Sequence, residues 1–118
     1  MKKNHTKNNS LAHLIACPCC GYKTLGSRAD YDICCICWWE DDGTDNLDAT
    51  HQGGPNNGVS LSQARYNFLT YGIYDPKRTD LVAKKSKKPC EKERFFEIEG
   101  EYVVEKQALW EEKITPNH

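Results

Sequence analysis

Cys17-Pro18-Cys19-Cys20-Gly21 and Cys34-Cys35-Ile36-Cys37 are two cysteine pairs of the same internal spacing, with thirteen residues between them. A C-x2-C followed at this distance by a second C-x2-C is the pattern of a tetrahedral metal site whose ligands are Cys17, Cys20, Cys34 and Cys37. Zinc takes four thiolates at about 2.3 Å, and two residues between ligands let one tight turn present both sulfurs. Such turns also aim backbone N–H groups at the sulfurs, and Gly21, free to adopt positive φ, suits the position just after Cys20. Four thiolates leave zinc without an open coordination position, so the expected role of Zn2+ is structural. The same sulfur set also suits iron.

Around this site the chain is short and polar. It has 118 residues, a formal net charge of -1 and seven cysteines. A domain of this length buries a modest core, and structural zinc contributes on the order of 10–16 kcal/mol to small modules, so the metal carries much of the expected stability. The near-neutral charge argues against a nucleic-acid binder that relies on a general basic field. No apolar stretch approaches the roughly 20 residues of a membrane span. The run from Leu11 to Ala16 is shorter than a signal-peptide core and leads straight into the first cysteine pair. These features point to a reducing, cytoplasmic setting, since secretion would expose the thiols to oxidation. A disulfide scaffold is the rival reading; the odd cysteine count, the matched pairs and the lack of an export signal weigh against it.

Read along its length, the chain divides into a lead at 1–10, expected to be disordered, a metal-bearing domain at 11–75 and a charged extension at 76–118. Leu11–Ala16 is expected as a short strand entering the first knuckle. Lys23–Leu25, a turn at Gly26-Ser27 and Tyr31–Ile33 read as a hairpin that brings the knuckles face to face, as in a zinc ribbon. Val59-Ser60-Leu61-Ser62-Gln63 opens a helix, with Ser60 as N-cap, Gln63 completing a capping box and Val59 stapling to Ala64. Leu61, Ala64 or Arg65, Phe68 and Leu69 form its apolar face, and Gly72 stops it. The fold class is therefore α+β: a small zinc ribbon packed against an amphipathic helix, with a C-terminal α+β extension. In that extension Phe95–Glu99 reads as a strand followed by a turn at Gly100, while Tyr102–Lys113, with Leu109 and Trp110, fits strand or helix. Lys84–Lys88 reads as a solvated loop.

Several of these segments together resemble the bacterial cysteine-rich CPCC family. They are Cys-Pro-Cys-Cys-Gly at 17–21, Tyr31-Asp-Ile-Cys34, Trp39-Glu-Asp-Asp-Gly43, and Gly54-Pro-Asn-Asn-Gly-Val-Ser-Leu61 with Ala64-Arg65, Asn67 and Phe68. The resemblance spans about Leu14 to Gly72. The family's second knuckle usually reads Cys-Pro-x-Cys; here Cys35 replaces the proline, which loosens that turn and sets another thiol beside the metal. The resemblance implies no catalytic activity. It implies small cytoplasmic proteins, some encoded among toxin–immunity clusters, and so suggests an immunity protein.

Each candidate site has a plainer counterpart. Cys19 and Cys35 read as bystanders within the knuckles, with ligand exchange or redox chemistry as the alternative. Cys17-Pro-Cys-Cys20 also has dithiol redox spacing, but such motifs open a helix, and a glycine turn follows here. Cys90 reads as an ordinary thiol in a charged loop. Trp38 and Trp39 read as one aromatic seeding the core and one offered to a partner.

The acidic stretch Glu40-Asp41-Asp42-Gly43-Thr44-Asp45, with Asp48 and His51, reads as a loop closed by carboxylate contacts to backbone N–H groups. The sharper alternatives are a second cation site or a hydrolase using Glu40 and Asp41. Function accordingly reads as a non-enzymatic protein-binding module, an immunity protein that occludes a toxin. Acids Glu40, Asp41, Asp42 and Asp45 would steer a basic protein partner, and Trp39, Tyr71 and Tyr74 would anchor it. The runner-up is a zinc-ribbon nucleic-acid binder using 77–94, which holds eight basic residues against three acids. A metal-dependent hydrolase at the 40–51 loop comes third.

Overall fold

A computed structural model of the chain describes residues 13–82 and 90–106. The expected lead at 1–10, the Lys84–Lys88 loop, and Leu109 and Trp110 lie outside the described residues. Two short antiparallel pairs and one principal helix make up the fold. Strand β1 (Ile15–Ala16) pairs with β2 (Lys23–Leu25) across the first knuckle. Helix α1 (Leu61–Tyr71) follows the acidic and glycine-rich loops, and α2 (Thr79–Val82) is a single turn. Strands β3 (Phe95–Glu99) and β4 (Tyr102–Lys106) form the second pair, in register Phe96↔Glu105 and Ile98↔Val103 about a tip at Gly100.

The pairing corrects the sequence expectation. Lys23–Leu25 does not return to Tyr31–Ile33; its partner is Ile15–Ala16, and Ile33 bridges to Glu40 across the second knuckle. Each C-x2-C thus closes its own hairpin, because a six-residue loop satisfies its backbone groups locally before any longer pairing is needed.

Helix α1 starts where the chain offers a cap. Ser60 is extended (φ -73°) and its Oγ accepts from Gln63 N at 3.1 Å, and Gly72 closes the far end in the left-handed region (φ 83°). Only half of the capping box forms, because the Gln63 side chain donates instead to Asn67 Oδ1 at 2.9 Å. The buried face is Leu61, Ala64, Arg65 and Asn67, with Phe68 half-buried and Leu69 turned outward. Asn67 is accommodated because its Nδ2 donates to the Tyr74 carbonyl at 2.8 Å. A buried polar group is tolerated when it is hydrogen-bonded in this way.

The core gathers the two knuckles, Leu25, Ile36, Trp39, Ala49, Leu61, Ala64, Ile73 and Tyr74, with Leu81 and Cys90 packed against it. The charged segment after residue 76 is tied to this body. Lys23 N donates to Glu91 O and Glu93 N to Gly21 O, both at 2.8 Å. A Cβ at Gly21 would run into the carbonyl of Arg94, so close backbone approach adds to positive φ as a reason for glycine there. From β3, Phe96 is buried beneath the Arg65 guanidinium, 4.2 Å above the ring. Among the described residues no helix is long and apolar enough to cross a membrane.

Candidate metal centre

The two knuckles repeat one hydrogen-bond scheme. In the first, Cys17 N donates to Tyr22 O and Gly21 N to Cys17 O, both at 2.8 Å. In the second, Cys34 N donates to Trp39 O and Trp38 N to Cys34 O, both at 2.9 Å. The amide two residues after the leading cysteine points at its sulfur in each: Cys19 N to Cys17 Sγ at 3.4 Å, Ile36 N to Cys34 Sγ at 3.3 Å. The residue following the pair is left-handed in both, Gly21 at φ 87° and Trp38 at φ 71°. A tryptophan at this glycine position is strained, and its partial burial against the core offsets that strain.

Face to face, these turns bring the sulfurs of Cys17, Cys20, Cys34 and Cys37 within 4.8 Å of one another. Cys17 Sγ lies 3.7 Å from Cys37 Sγ, and Cys20 Sγ 3.7 Å from Cys34 Sγ. Four ligands at zinc–sulfur bond length define a tetrahedron with edges of about 3.8 Å, so the set fits such an ion. It does not fit disulfides, whose sulfurs are about 2.05 Å apart. All four side chains are buried. Thr24 Oγ1 donates to Cys34 Sγ at 3.1 Å, an outer hydrogen bond of the kind that orients a ligand. The neighbouring thiols and Thr24 hold Cys34 well below the usual thiol range, while burial and those same neighbours push Cys37 up. A divalent cation bound by the four sulfurs would displace their protons. This is the only group of metal-ligating side chains gathered so closely among the described residues.

The knuckles' additional cysteines part ways. Cys19 is packed inside, against Cys37, whereas Cys35 is exposed. Behind the first knuckle, the buried Arg65 donates from Nε to Pro18 O at 2.8 Å. Its positive charge faces Cys19 and would offset part of the net negative charge that four thiolates leave on a divalent ion.

The acidic loop is a clamp. Asp41 is fully buried, and its Oδ2 accepts from Arg28 Nε and Ala29 N, both at 2.8 Å, while Oδ1 accepts from Gly43 N at 3.1 Å. Asp45 accepts from Arg28 Nη1 at 2.7 Å and Arg94 Nη2 at 2.8 Å, with Arg65 Nη2 at 3.5 Å. Burial pulls its carboxyl upward, but Arg94 and Arg28 outweigh that and hold it well below the usual carboxylate range. Asp42 Oδ1 accepts from Thr44 N and Oγ1. Asp48 and Asp45 form a reciprocal cap around the 3-10 turn Asn46–Asp48, and His51 is exposed.

Three residues expected on a partner surface therefore lie inside. Trp39 packs edge-on against Tyr74, ring centroids 6.1 Å apart, and both are buried; Asp41 is consumed by the clamp. Their chemistry explains the placement: the rings bury their area in the core that also holds the four cysteines, and the loop's backbone amides need an acceptor. Tyr71 is exposed, and Glu40, Asp42 and Asp45 are partly so. Asn56 is fully buried and bonds both Glu40 N and Glu40 O. Arg28 and Arg94 are the residues sequence reasoning missed; their pairing with Asp41 and Asp45 spans loops and leaves no local spacing to read. In the basic segment, Arg78 pairs with Asp80, Arg94 with Asp45 and Glu105, and Lys92 lies over Tyr22 and Phe95.

No curated protein and no solved structure matches the chain. The sequence profile described as cysteine-rich CPCC does, over residues 15–93, a span that takes in both knuckles, the clamp, helix α1 and the strand-like segment laid against Gly21. With well over half its length inside that match, the chain belongs to the cysteine-rich CPCC family.

Proposed function

We propose that Cys17, Cys20, Cys34 and Cys37 hold one structural zinc ion in a zinc-ribbon-like module whose work is protein binding, without catalysis. The observation that carries this reading is the closed, buried cluster of four thiols, all within 4.8 Å of one another with two of the distances at 3.7 Å, which has room for an ion and no ligand position facing solvent. The acidic loop supports it from another side. Asp41 and Asp45 are engaged by arginines and Asp41 and Asp42 by backbone amides, an arrangement that stabilises a loop and ill suits proton transfer to a substrate. Residues 11–75 form the metal-bearing domain in this reading, with 76–118 as its extension, in a reducing, cytoplasmic compartment where thiols persist. Occlusion of a toxin by an immunity protein is the form of binding we favour, on the family resemblance.

Elemental analysis and native mass spectrometry of the chain, expressed with the products of its genomic neighbours, test both parts. One zinc per chain and a stable co-purifying protein are expected. Disulfides in place of metal would overturn the metal reading. Salt-dependent binding to RNA or DNA, with no protein partner, would favour the nucleic-acid alternative. The internal pairing of Arg78 and Arg94 speaks against that alternative.

A further inference from the structure

Tyr31 combines two properties that packing does not explain. Its backbone is left-handed (φ 60°), unfavourable for a tyrosine, yet its side chain is 58% exposed. A strained residue that returns no burial marks a position held for another purpose. The neighbouring Ile33 is 53% exposed, and its bridge partner Glu40 lies beside it on the second-knuckle hairpin.

The loop that carries Tyr31 is stiff. Arg28 and Ala29 are both bonded to Asp41, and Tyr31 N donates to Asp41 O at 2.9 Å. Asp30, Asp32, Glu40 and Asp42 border this stretch. Among the described residues none of the four forms an ion pair, in contrast to Asp41 and Asp45 behind them. Their hydrogen bonds go to neutral groups: Ser27 Oγ for Asp30, Gly26 N for Asp32, Thr44 for Asp42. Two exposed apolar side chains thus stand on a stretch of chain whose flanking acids carry no ion pair among the described residues.

We propose that this outer face of the second knuckle, with Tyr31 and Ile33 as anchors and Asp30, Asp32, Glu40 and Asp42 as rim, docks a basic protein surface. The inference rests on the protein-binding reading above and moves its contact site away from Trp39 and Tyr74. Apolar anchors within a charged rim are how a specific interface divides labour: anchors slow dissociation and rim charges speed encounter. A nucleic acid is disfavoured because its phosphates would meet four unpaired carboxylates.

The test titrates three probes, a peptide alternating arginine and leucine, a peptide alternating glutamate and leucine, and a single-stranded RNA, into the isotope-labelled, zinc-loaded full chain at low salt. The arginine peptide should shift amide resonances across 30–42, and the glutamate peptide should shift none. Tyr31→Gly should weaken the arginine peptide about tenfold, while leaving thermal stability unchanged or raised, because glycine relieves the left-handed strain. Full affinity in Tyr31→Gly overturns the proposal. Shifts centred on other acids, such as Glu97 and Glu99, overturn this face and leave the protein-binding reading standing. A response to single-stranded RNA and not to peptide replaces the partner class and overturns it also. Silence towards all three probes overturns the proposal, and the reading behind it falls only if the chain also purifies without a partner from co-expression.

Discussion

Replacing Asp41 by asparagine changes one atom and should cost the fold about 3 kcal/mol, an amount that can be built from its contacts. Oδ2 accepts from Arg28 Nε and Ala29 N, and Oδ1 from Gly43 N. Asparagine keeps a single acceptor oxygen. Placed at the Oδ2 position, it turns its NH2 toward the Gly43 N–H and strands that donor, at about 1–3 kcal/mol. The two surviving bonds lose charge assistance, which roughly doubles a hydrogen bond, for about another 1 kcal/mol. Arg28 keeps its bonds to Asp45 and the Thr44 carbonyl, so the loss stays below that of a wholly orphaned pair. Urea unfolding with zinc held at fixed excess is the assay, since metal binding otherwise shifts the midpoint. With a slope of about 1.5 kcal/mol/M, the midpoint should fall by about 2 M. Asp42→Asn is the control: its Oδ1 alone serves Thr44, an amide oxygen can do the same, and about 0.5 kcal/mol or less should be lost. An Asp41→Asn midpoint within error of wild type, or equal losses in both variants, would refute the clamp.

Thr24→Val should leave the fold intact and lower zinc affinity about tenfold, by removing the hydroxyl donor to Cys34 Sγ; competition with a chromophoric chelator reads it, and unchanged affinity counts against that bond. Trp39→Ala should cost about 3–5 kcal/mol, while Trp38→Gly should cost clearly less, because glycine releases about 1 kcal/mol of left-handed strain at φ 71°; equal losses would contradict the strain argument. Asp45→Asn should cost about 1 kcal/mol, a figure held down by the partial exposure of the carboxylate. Its folded pKa is depressed, so the contribution is complete above about pH 4 and is lost only as pH falls through the folded value. The cost of Asp45→Asn should therefore be flat between about pH 5 and 8, although protons competing for the thiolates weaken the protein itself earlier. A cost that halves within that window would exclude the assignment.

The metal cluster, the glycine after it and the ends of α1 were legible because each rests on local chemistry. A two-residue gap between thiols, a serine before a helix and a glycine after it act within a few positions. What was not legible depends on partners far apart in the chain. Tyr31–Ile33 has strand composition, yet its alternation says nothing about which neighbour it takes, and the knuckle turn supplied Glu40 rather than Lys23–Leu25. Asp41 closes its loop through backbone amides as its composition suggests, but its pairing with Arg28 across that loop, which buries it away from any partner, left no local signal. Asn67 looked polar in a helix, and only the Tyr74 carbonyl explains its burial. One signal was available and unused: laying 17–22 over 34–39 sets Trp38 on Gly21 and identifies the strained tryptophan from sequence alone.

Because each knuckle completes its backbone hydrogen bonds within six residues, the two half-sites are separate bidentate claws before they meet. A metal ion captured by one claw would convert the arrival of the other into an intramolecular event, with the thirteen-residue connection setting its effective concentration. Closure cost grows only with the logarithm of loop length, about 0.6 kcal/mol per doubling. With a metal held as proposed, the claws would form first, the ion would join them, and the arginine clamp and Trp39 would close over the junction. A chain deprived of metal should retain the claws and lose their mutual orientation.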